Sequence, residues 1–385
     1  MNPSLVSNAY STNMIADRSA LLSELQSYGV QLVSDSGAPS RMGGAGPTDH
    51  KAMTVLGTTI MVPVHTYAAE GSPFSLGLPD EEGRAALNYI NLPIARVTFP
   101  PQPNFYRMST AEGVPYWKIA TLHSTDVLAT TVLQNCIRYG NKKTKCQFCA
   151  IGESLKSGRT IAHKQPEQLA EVAYAAKEHD GIRQVVLTTG TPTTPDRGAA
   201  VLCDSARAIK EATGLAIQAQ CEPPDDFAWF QKLKNAGVDS LGMHLEAWNE
   251  AVRAKIMPGK AEVPLSYYME AFEASVAVFG RAQVSTYLLA GLGDTRDELI
   301  EAARILIDIG VYPFVVPFVP VTGTQLENHP APNTQFMRSV LAPIGEMLVE
   351  AGMTSDTIKA GCAKCGACSS LSSYEKNNQS SCSAA

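Results

Sequence analysis

The chain of 385 residues has no run of about 18 uninterrupted apolar residues, so no membrane-spanning helix is expected. Its first residues, MNPSLVSNAYSTNMIADRS, show no basic stretch followed by an apolar core, so no secretory signal is expected either. Positive charge is not in surplus: 31 Lys and Arg against 37 Asp and Glu leave a net charge of −6. That balance argues against a broad nucleic-acid footprint, although it tolerates a local basic patch. Cysteine, by contrast, is plentiful at 9 residues. Without an expected export signal, that number favours metal or redox use over structural disulfides, in a reducing cytoplasm.

The hydrophobic fraction of 45% supplies a true core. Residues 1–120 read as an irregular α+β extension. A short amphipathic helix is expected near Arg18–Tyr28, followed by a Gly/Pro-rich segment, GAPSRMGGAGPTDH. MTVLGTTIMVPV then reads as one or two strands, and Pro-rich loops surround Phe99–Phe105. No catalytic motif is legible in this part.

From Asp126 the pattern becomes repetitive. The strand-like runs DVLATTVLQ, IRQVVLTTG, GLAIQAQC, VDSLGMHLE, AQVSTYLLAG and VYPFVVPFV alternate with helix-like stretches such as PEQLAEVAYAAKE and TRDELIEAARILIDIG. Such alternation implies βα units, a parallel sheet and right-handed crossovers. Pro166 suits the first turn of one helix and Gly237 the end of another. Six units predict an α/β fold, a partial (β/α)6 TIM-type barrel over 121–330. A C-terminal helix and Cys-rich segment follow at 331–369, and a Ser/Asn-rich stretch at 370–385 is expected to be disordered. In parallel barrels the chemistry sits at the C-terminal ends of the strands.

Just after the first of these strands comes NCIRYGNKKTKCQFCAIGES, with Cys136, Cys146 and Cys149 spaced C-x9-C-x2-C and Phe148 before the last. Thiolates hold iron–sulfur clusters, and three of them leave one iron of a [4Fe–4S] cubane open to a small molecule. A zinc knuckle is the competing reading, with His163 as a candidate fourth ligand. The loop resembles the cluster loop of the radical S-adenosylmethionine (SAM) enzymes. Their usual spacing is C-x3-C-x2-C with an aromatic before the third cysteine. The longer first gap here is shared by the elongator-type tRNA-modifying members.

The resemblance extends to strand-end motifs over Asp126–Glu327. Leu187–Gly190 (LTTG) stands where the superfamily has a Gly-Gly-Glu-type segment. It lacks the Glu, so only a backbone role of Thr188, Thr189 and Gly190 toward the SAM amine is implied. His244 and Glu246 (HLE) resemble the polar pair that contacts the ribose in biotin-synthase-like members; a loop or cap pair is the plainer reading. Gly291–Thr295 (GLGDT) is similar to a GxGE[ST] turn, and Gly291 and Gly293 would allow close approach to SAM. Val321–Leu326 (VTGTQL) is similar to a GTxL segment, with Thr324 bordering the adenine. Biotin synthase holds a second cluster on barrel strands. Here only Cys221 falls at such a position and Ser285 replaces another, so strand residues cannot build it. Cys221 reads as a buried strand thiol.

Cys362, Cys365 and Cys368 form a C-x2-C-x2-C set in the tail. They could hold a second iron–sulfur cluster, a zinc ion with Cys382 or a histidine, or act as redox thiols, or bind nothing. The whole chain, including GCxxCGAC, is similar to a biotin-synthase-like radical SAM family of bacterial nitrilase-associated gene clusters. The resemblance implies an enzyme with a [4Fe–4S] cluster and SAM that generates a 5′-deoxyadenosyl radical and abstracts hydrogen from a small-molecule substrate. Arg138, Lys142, Lys143 and Lys145 read as a solvated face or a dock for a flavodoxin or ferredoxin. A tRNA-modifying enzyme and a non-catalytic iron–sulfur carrier are the alternatives; the acidic total argues against nucleic acid.

Overall fold

Two sheets organise the computed structural model, which describes residues 17–32, 50–64 and 66–382. The first 16 residues and nearly all of the Gly/Pro-rich segment lie outside the described residues. The first sheet holds β1 (Gln31–Leu32), β2 (His50–Val55), β3 (Thr58–Pro63), β4 (Phe74–Leu76), β5 (Arg84–Tyr89) and β6 (Leu92–Thr98), in the order β1-β4-β5-β6-β2-β3. Helix α1 (Arg18–Tyr28), N-capped by the Asp17 carboxylate, buries Leu21, Leu22 and Leu25 against Met53, Ile60 and Phe74 of this sheet. MTVLGTTIMVPV is the hairpin β2–β3, turning at Leu56–Gly57, both with positive φ.

The second sheet contains all six expected strands: β8 (Val127–Thr131), β9 (Gln184–Thr188), β10 (Ala216–Gln220), β11 (Ser240–Gly242), β12 (Val284–Ala290) and β13 (Val311–Pro317). They are parallel neighbours in chain order, curled into a partial barrel. A seventh strand, β7 (Thr121–His123), pairs antiparallel with β8 and was not legible as a separate strand. β7 and β13 are therefore the edges of the sheet, and a seam separates them.

The outer helices follow their caps. In α2 (Pro166–Asp180) the proline occupies the first turn, where an N–H would lack a partner, and Gln165 and Gln168 form a capping box. Helices α3 (Ala199–Thr213), α4 (Ala228–Asn235), α5 (Leu265–Phe279) and α6 (Arg296–Asp308) cover the strands in turn. Gly237, with φ 95°, lies just past α4. Their apolar stripes and the strands share one core, in which Phe230, Phe272 and Phe314 are buried. Each such side chain contributes about 2 kcal/mol.

Helix α7 (Thr334–Glu350) packs on α6. The following tail is not disordered as its composition suggests. Leu371–Cys382 forms α8, which packs on α7; only 383–385 lie outside the described residues. Leu371 and Tyr374 supply apolar burial that Ser/Asn counting overlooks. Glu375, 1% exposed, accepts from Tyr312 Oη at 2.5 Å and from Ser355 N and Oγ at 3.0 and 2.8 Å. Three donors offset the desolvation of that carboxylate.

The Cys-rich segment between α7 and α8 enters the barrel. Its backbone is held by side chains of the barrel strands and their leading residues. Gln283 accepts from Lys359 N at 3.0 Å and donates to Thr357 O at 2.9 Å. Gln184 accepts from Gly361 N at 2.7 Å, and Gln218 from Cys362 N at 3.0 Å. Buried glutamines inside a barrel would be costly alone; this segment supplies their partners.

Candidate active site

The cysteine loop leaves the C-terminal end of β8, as parallel-barrel logic requires. Backbone bonds tie it to neighbouring units: Ile137 N to Thr191 O at 2.9 Å, Gln147 N to Ile256 O at 2.9 Å, and Gln325 N to Gln147 O at 3.0 Å. The nine-residue gap is a turn-rich insert, and it folds around Arg138. Arg138 is buried rather than on the expected solvated face; it pairs with Glu222 and donates through Nε to Gly259 O at 2.7 Å. Glu222 also accepts from Thr191 Oγ1 at 2.9 Å. Lys142 and Lys143 are exposed, while the Lys145 ammonium lies 3.9 Å from the Tyr139 ring centroid.

The loop gathers Cys136, Cys146 and Cys149 closely enough that Cys136 acts on both other thiols and Cys149 acts on Cys146. Burial pushes the Cys146 thiol up to about 12 and the Cys149 thiol up to about 11, and the neighbouring thiols add to both shifts. Loading iron here must therefore displace protons. Among the described residues no group of three His, Cys, Asp or Glu side chains stands out as able to hold a metal ion. Three thiolates on one loop are the donor type of an iron–sulfur cubane, in which each binds a different iron.

Cys149 opens onto a cavity of about 380 Å³ whose wall includes residues from all six parallel strands or their ends. Phe148, Thr188, Thr189, His244 and Glu246, five of the sequence-predicted cofactor residues, line the same space. Gly190, Gly291, Gly293 and Thr324 are not on its wall. Each has another local duty. A Cβ on Gly190 would stand 2.1 Å from the Asn135 carbonyl oxygen, so this glycine lets β9 pass under the loop entering Cys136. Gly291 has φ 106° and its carbonyl contacts His329 Nε2 at 2.9 Å; Gly293 has φ 138° beside Val252. Thr324 is buried and donates to Val321 O at 2.7 Å. Cys221 is a buried strand-end thiol, also off the cavity wall.

β11 ends at Gly242, earlier than VDSLGMHLE suggests, and the chain rejoins β12 through Glu246. Glu246 has φ 67°, an unusual conformation for a residue with a Cβ, held by Glu246 N to Tyr287 O at 2.9 Å and Leu289 N to Glu246 O at 2.7 Å. Its carboxylate lies 3.4 Å from Lys260 Nζ. Burial works against the Lys260 charge, yet Tyr268, Glu246, Glu222 and Cys146 around it hold its pKa above the ordinary value. His244 is driven the other way. Burial and then Lys260 lower it to about 3, so the ring is neutral. Its Nδ1 accepts from Tyr287 N at 3.2 Å, which places the proton on Nε2, a buried donor with no partner among the described residues. An orphaned donor beside a carboxylate suits a ligand rich in oxygen.

Sequence reasoning missed the far wall. Gln26 of α1, His50 of β2 and Met61 of β3 reach the cavity from the N-terminal extension, and Cys368 reaches it from the C-terminal segment. The alternation of Gln218 and Gln220 in AIQAQ was the available signal of a polar barrel interior. Cys362 and Cys365 of the tail pack against Val127, Ala129 and Val186 of the barrel strands. The side chain of Cys382 lies outside the described residues.

Residues 141–306 match the model of the Radical SAM superfamily. The chain is 28% identical over 229 residues to a bacteriochlorophyllide c C-7(1)-hydroxylase of Chlorobaculum limnaeum, covering 54% of this chain and 57% of that protein. It is 30% identical over 176 residues to a lipoyl synthase of Thermus thermophilus, covering 43% and 50%. A solved radical SAM methyltransferase from Sphaerobacter thermophilus aligns with a TM-score of 0.43 at 15% identity, over 75% of this chain and 76% of that one. The chain spans about half the length of the curated relatives it matches. Residues 141–306, within the partial barrel and taking in Cys146 and Cys149, thus form a radical SAM domain. A [4Fe–4S] cluster and SAM are the cofactors that a radical SAM domain implies.

Proposed function

We propose that the chain is a radical SAM enzyme acting on a small molecule held inside the barrel. The observation that carries this reading is the cavity shared by Cys149, Phe148, Thr188, Thr189, His244 and Glu246. When bound, a [4Fe–4S] cluster with SAM supplies reductive cleavage to a 5′-deoxyadenosyl radical, the chemistry used to abstract hydrogen from unreactive carbon.

The chain's own residues would do the positioning. Cys136, Cys146 and Cys149 hold the cluster at the barrel mouth. Phe148 walls the SAM site, and the ends of β9 flank it through Thr188 and Thr189. The neutral His244 donates through Nε2, while Glu246, paired with Lys260, accepts from hydroxyl groups. Gln26, His50 and Met61 close the opposite side and shield the reacting centre from water. We also assign Cys362, Cys365 and Cys368 to a second iron–sulfur cluster, which places the substrate between the two thiol sets. The exposed Lys142 and Lys143, next to the first set, suit docking of an acidic flavodoxin or ferredoxin.

The test is anaerobic reconstitution with iron and sulfide, then addition of dithionite and SAM, with mass spectrometry for 5′-deoxyadenosine. Production is expected from the wild-type chain and not from Cys149→Ala. Equal production by both would overturn the ligand assignment and with it this reading.

A further inference from the structure

We infer that His123 is the fourth protein ligand of the second cluster, giving it a Cys3His set of Cys362, Cys365, Cys368 and His123. This rests on the assignment of the tail cysteines to iron and sulfide, and adds a residue from the edge strand β7.

Three features carry it. First, the cysteine segment is docked rather than loose. Besides the glutamine bonds above, Ala360 N donates to Ser240 Oγ at 3.3 Å, and Gln220 Nε2 donates to Cys362 Sγ at 3.2 Å. The one-turn helix Cys362–Cys365 sets its two end thiols against Val127, Ala129 and Val186 inside the barrel.

Second, the segment crosses the seam between β7 and β13. Cys368 Sγ lies 3.4 Å from Nε2 of His123, the last residue of β7. One residue later, Ser369 Oγ donates to Val315 O of β13 at 2.6 Å. The β3 edge backs the crossing, with Met61 N donating to Ala367 O at 2.8 Å. His123 is only 5% exposed, so its imidazole faces this segment and not solvent.

Third, the donor set suits a metal centre. Soft thiolates with one imidazole can bind either zinc or an iron–sulfur cluster, and the assignment of the tail cysteines to iron and sulfide takes the latter. The nitrogen donor has a stated consequence. A neutral imidazole in place of a thiolate raises the reduction potential of an iron–sulfur centre.

The experiment uses the full chain with Cys136, Cys146 and Cys149 changed to Ala, so that only the second site can load. The protein is reconstituted anaerobically, iron, sulfide and zinc are measured, and the reduced sample is studied by pulsed EPR with 15N-histidine labelling. About one cluster of iron and sulfide is expected, with a nitrogen coupling that changes on labelling. His123→Ala should lose that coupling. His123→Cys should retain the iron, lose the coupling and titrate at a lower potential, and circular dichroism should show both variants folded. A cluster without nitrogen coupling, or one unchanged in His123→Ala, overturns the fourth ligand. Zinc in place of iron, or no metal at all, overturns the second cluster. The radical SAM reading is tested separately, by 5′-deoxyadenosine production from the wild-type chain against Cys149→Ala.

Discussion

The ring of His244 lies flat on that of Tyr287, with centroids 4.3 Å apart and planes 16° apart, and this stack joins the two halves of the site. Tyr287 faces Cys362 and Cys368, while His244 faces Lys260. The same backbone that brings the rings together, Tyr287 N to His244 Nδ1, fixes the histidine tautomer. A cavity wall thus built has one donor, Nε2, that does not switch off near neutral pH.

A pH dependence follows. His244 is buried, and burial together with Lys260 depresses its pKa to about 3. In the unfolded chain it would titrate near its ordinary 6.5. Between these values the unfolded state binds more protons, so stability rises with pH there. The contribution is fully present above pH 6.5 and is lost as pH falls toward 3. His244→Phe, which keeps a ring against Tyr287, should flatten the acid limb of stability by a few kcal/mol, about 1.4 per unit removed. Urea unfolding of the metal-free protein at pH 7 and pH 4.5 checks it. An unchanged difference between the two pH values would refute the neutral, buried state of His244.

The Lys260–Glu246 pair makes a different prediction. Both side chains are nearly buried, 10% and 12% exposed. Removing one partner strands the other charge in a poorly solvated site, at a cost of about 3–5 kcal/mol. Lys260→Met should therefore destabilise the metal-free chain by that order. Lys260→Met/Glu246→Gln should recover much of the loss, since neither remaining group is charged. Denaturant midpoints of the two single variants and the double variant measure the coupling. Additive losses would mean the pair is not coupled in the fold.

The strands, their parallel order and the cysteine loop were legible because apolar runs of period two and cap residues are local signals. The first thiol set stood out by its spacing. The second thiol set was visible as a motif, but its place was not. Nothing in GCAKCGACSS says that Gln184, Gln218 and Gln283, each in a different strand unit, await its backbone. Arg138 was misread for a similar reason: among three nearby lysines it resembles a surface charge, and only the fold brings Glu222 to it. The tail was misread because Ser and Asn outnumber Leu371, Tyr374 and Glu375, although those few residues decide its burial. Long-range pairing is what local composition cannot report.

The docking of the second thiol set is testable at one glycine. Gly361 has φ 106°, a conformation that side chains with a Cβ rarely adopt. A Cβ there would stand 2.1 Å from Cδ and 2.2 Å from Oε1 of Gln218, the side chain that receives Cys362 N. Gly361→Ala would therefore strain the backbone and displace the glutamine that anchors the segment, at a cost of about 1–3 kcal/mol. The effect should be selective. Iron bound by the reconstituted variant should fall by about one cluster, as each cluster depends on its own thiol set. Production of 5′-deoxyadenosine should persist, because Cys136, Cys146 and Cys149 are held by a different set of bonds at the other end of the barrel. Gly352 serves as the control: its φ is 64°, but a Cβ added there would meet nothing within 4 Å. Gly352→Ala should lose some stability and no iron. Iron loss in both variants, or in neither, would show that the segment's docking does not govern metal binding.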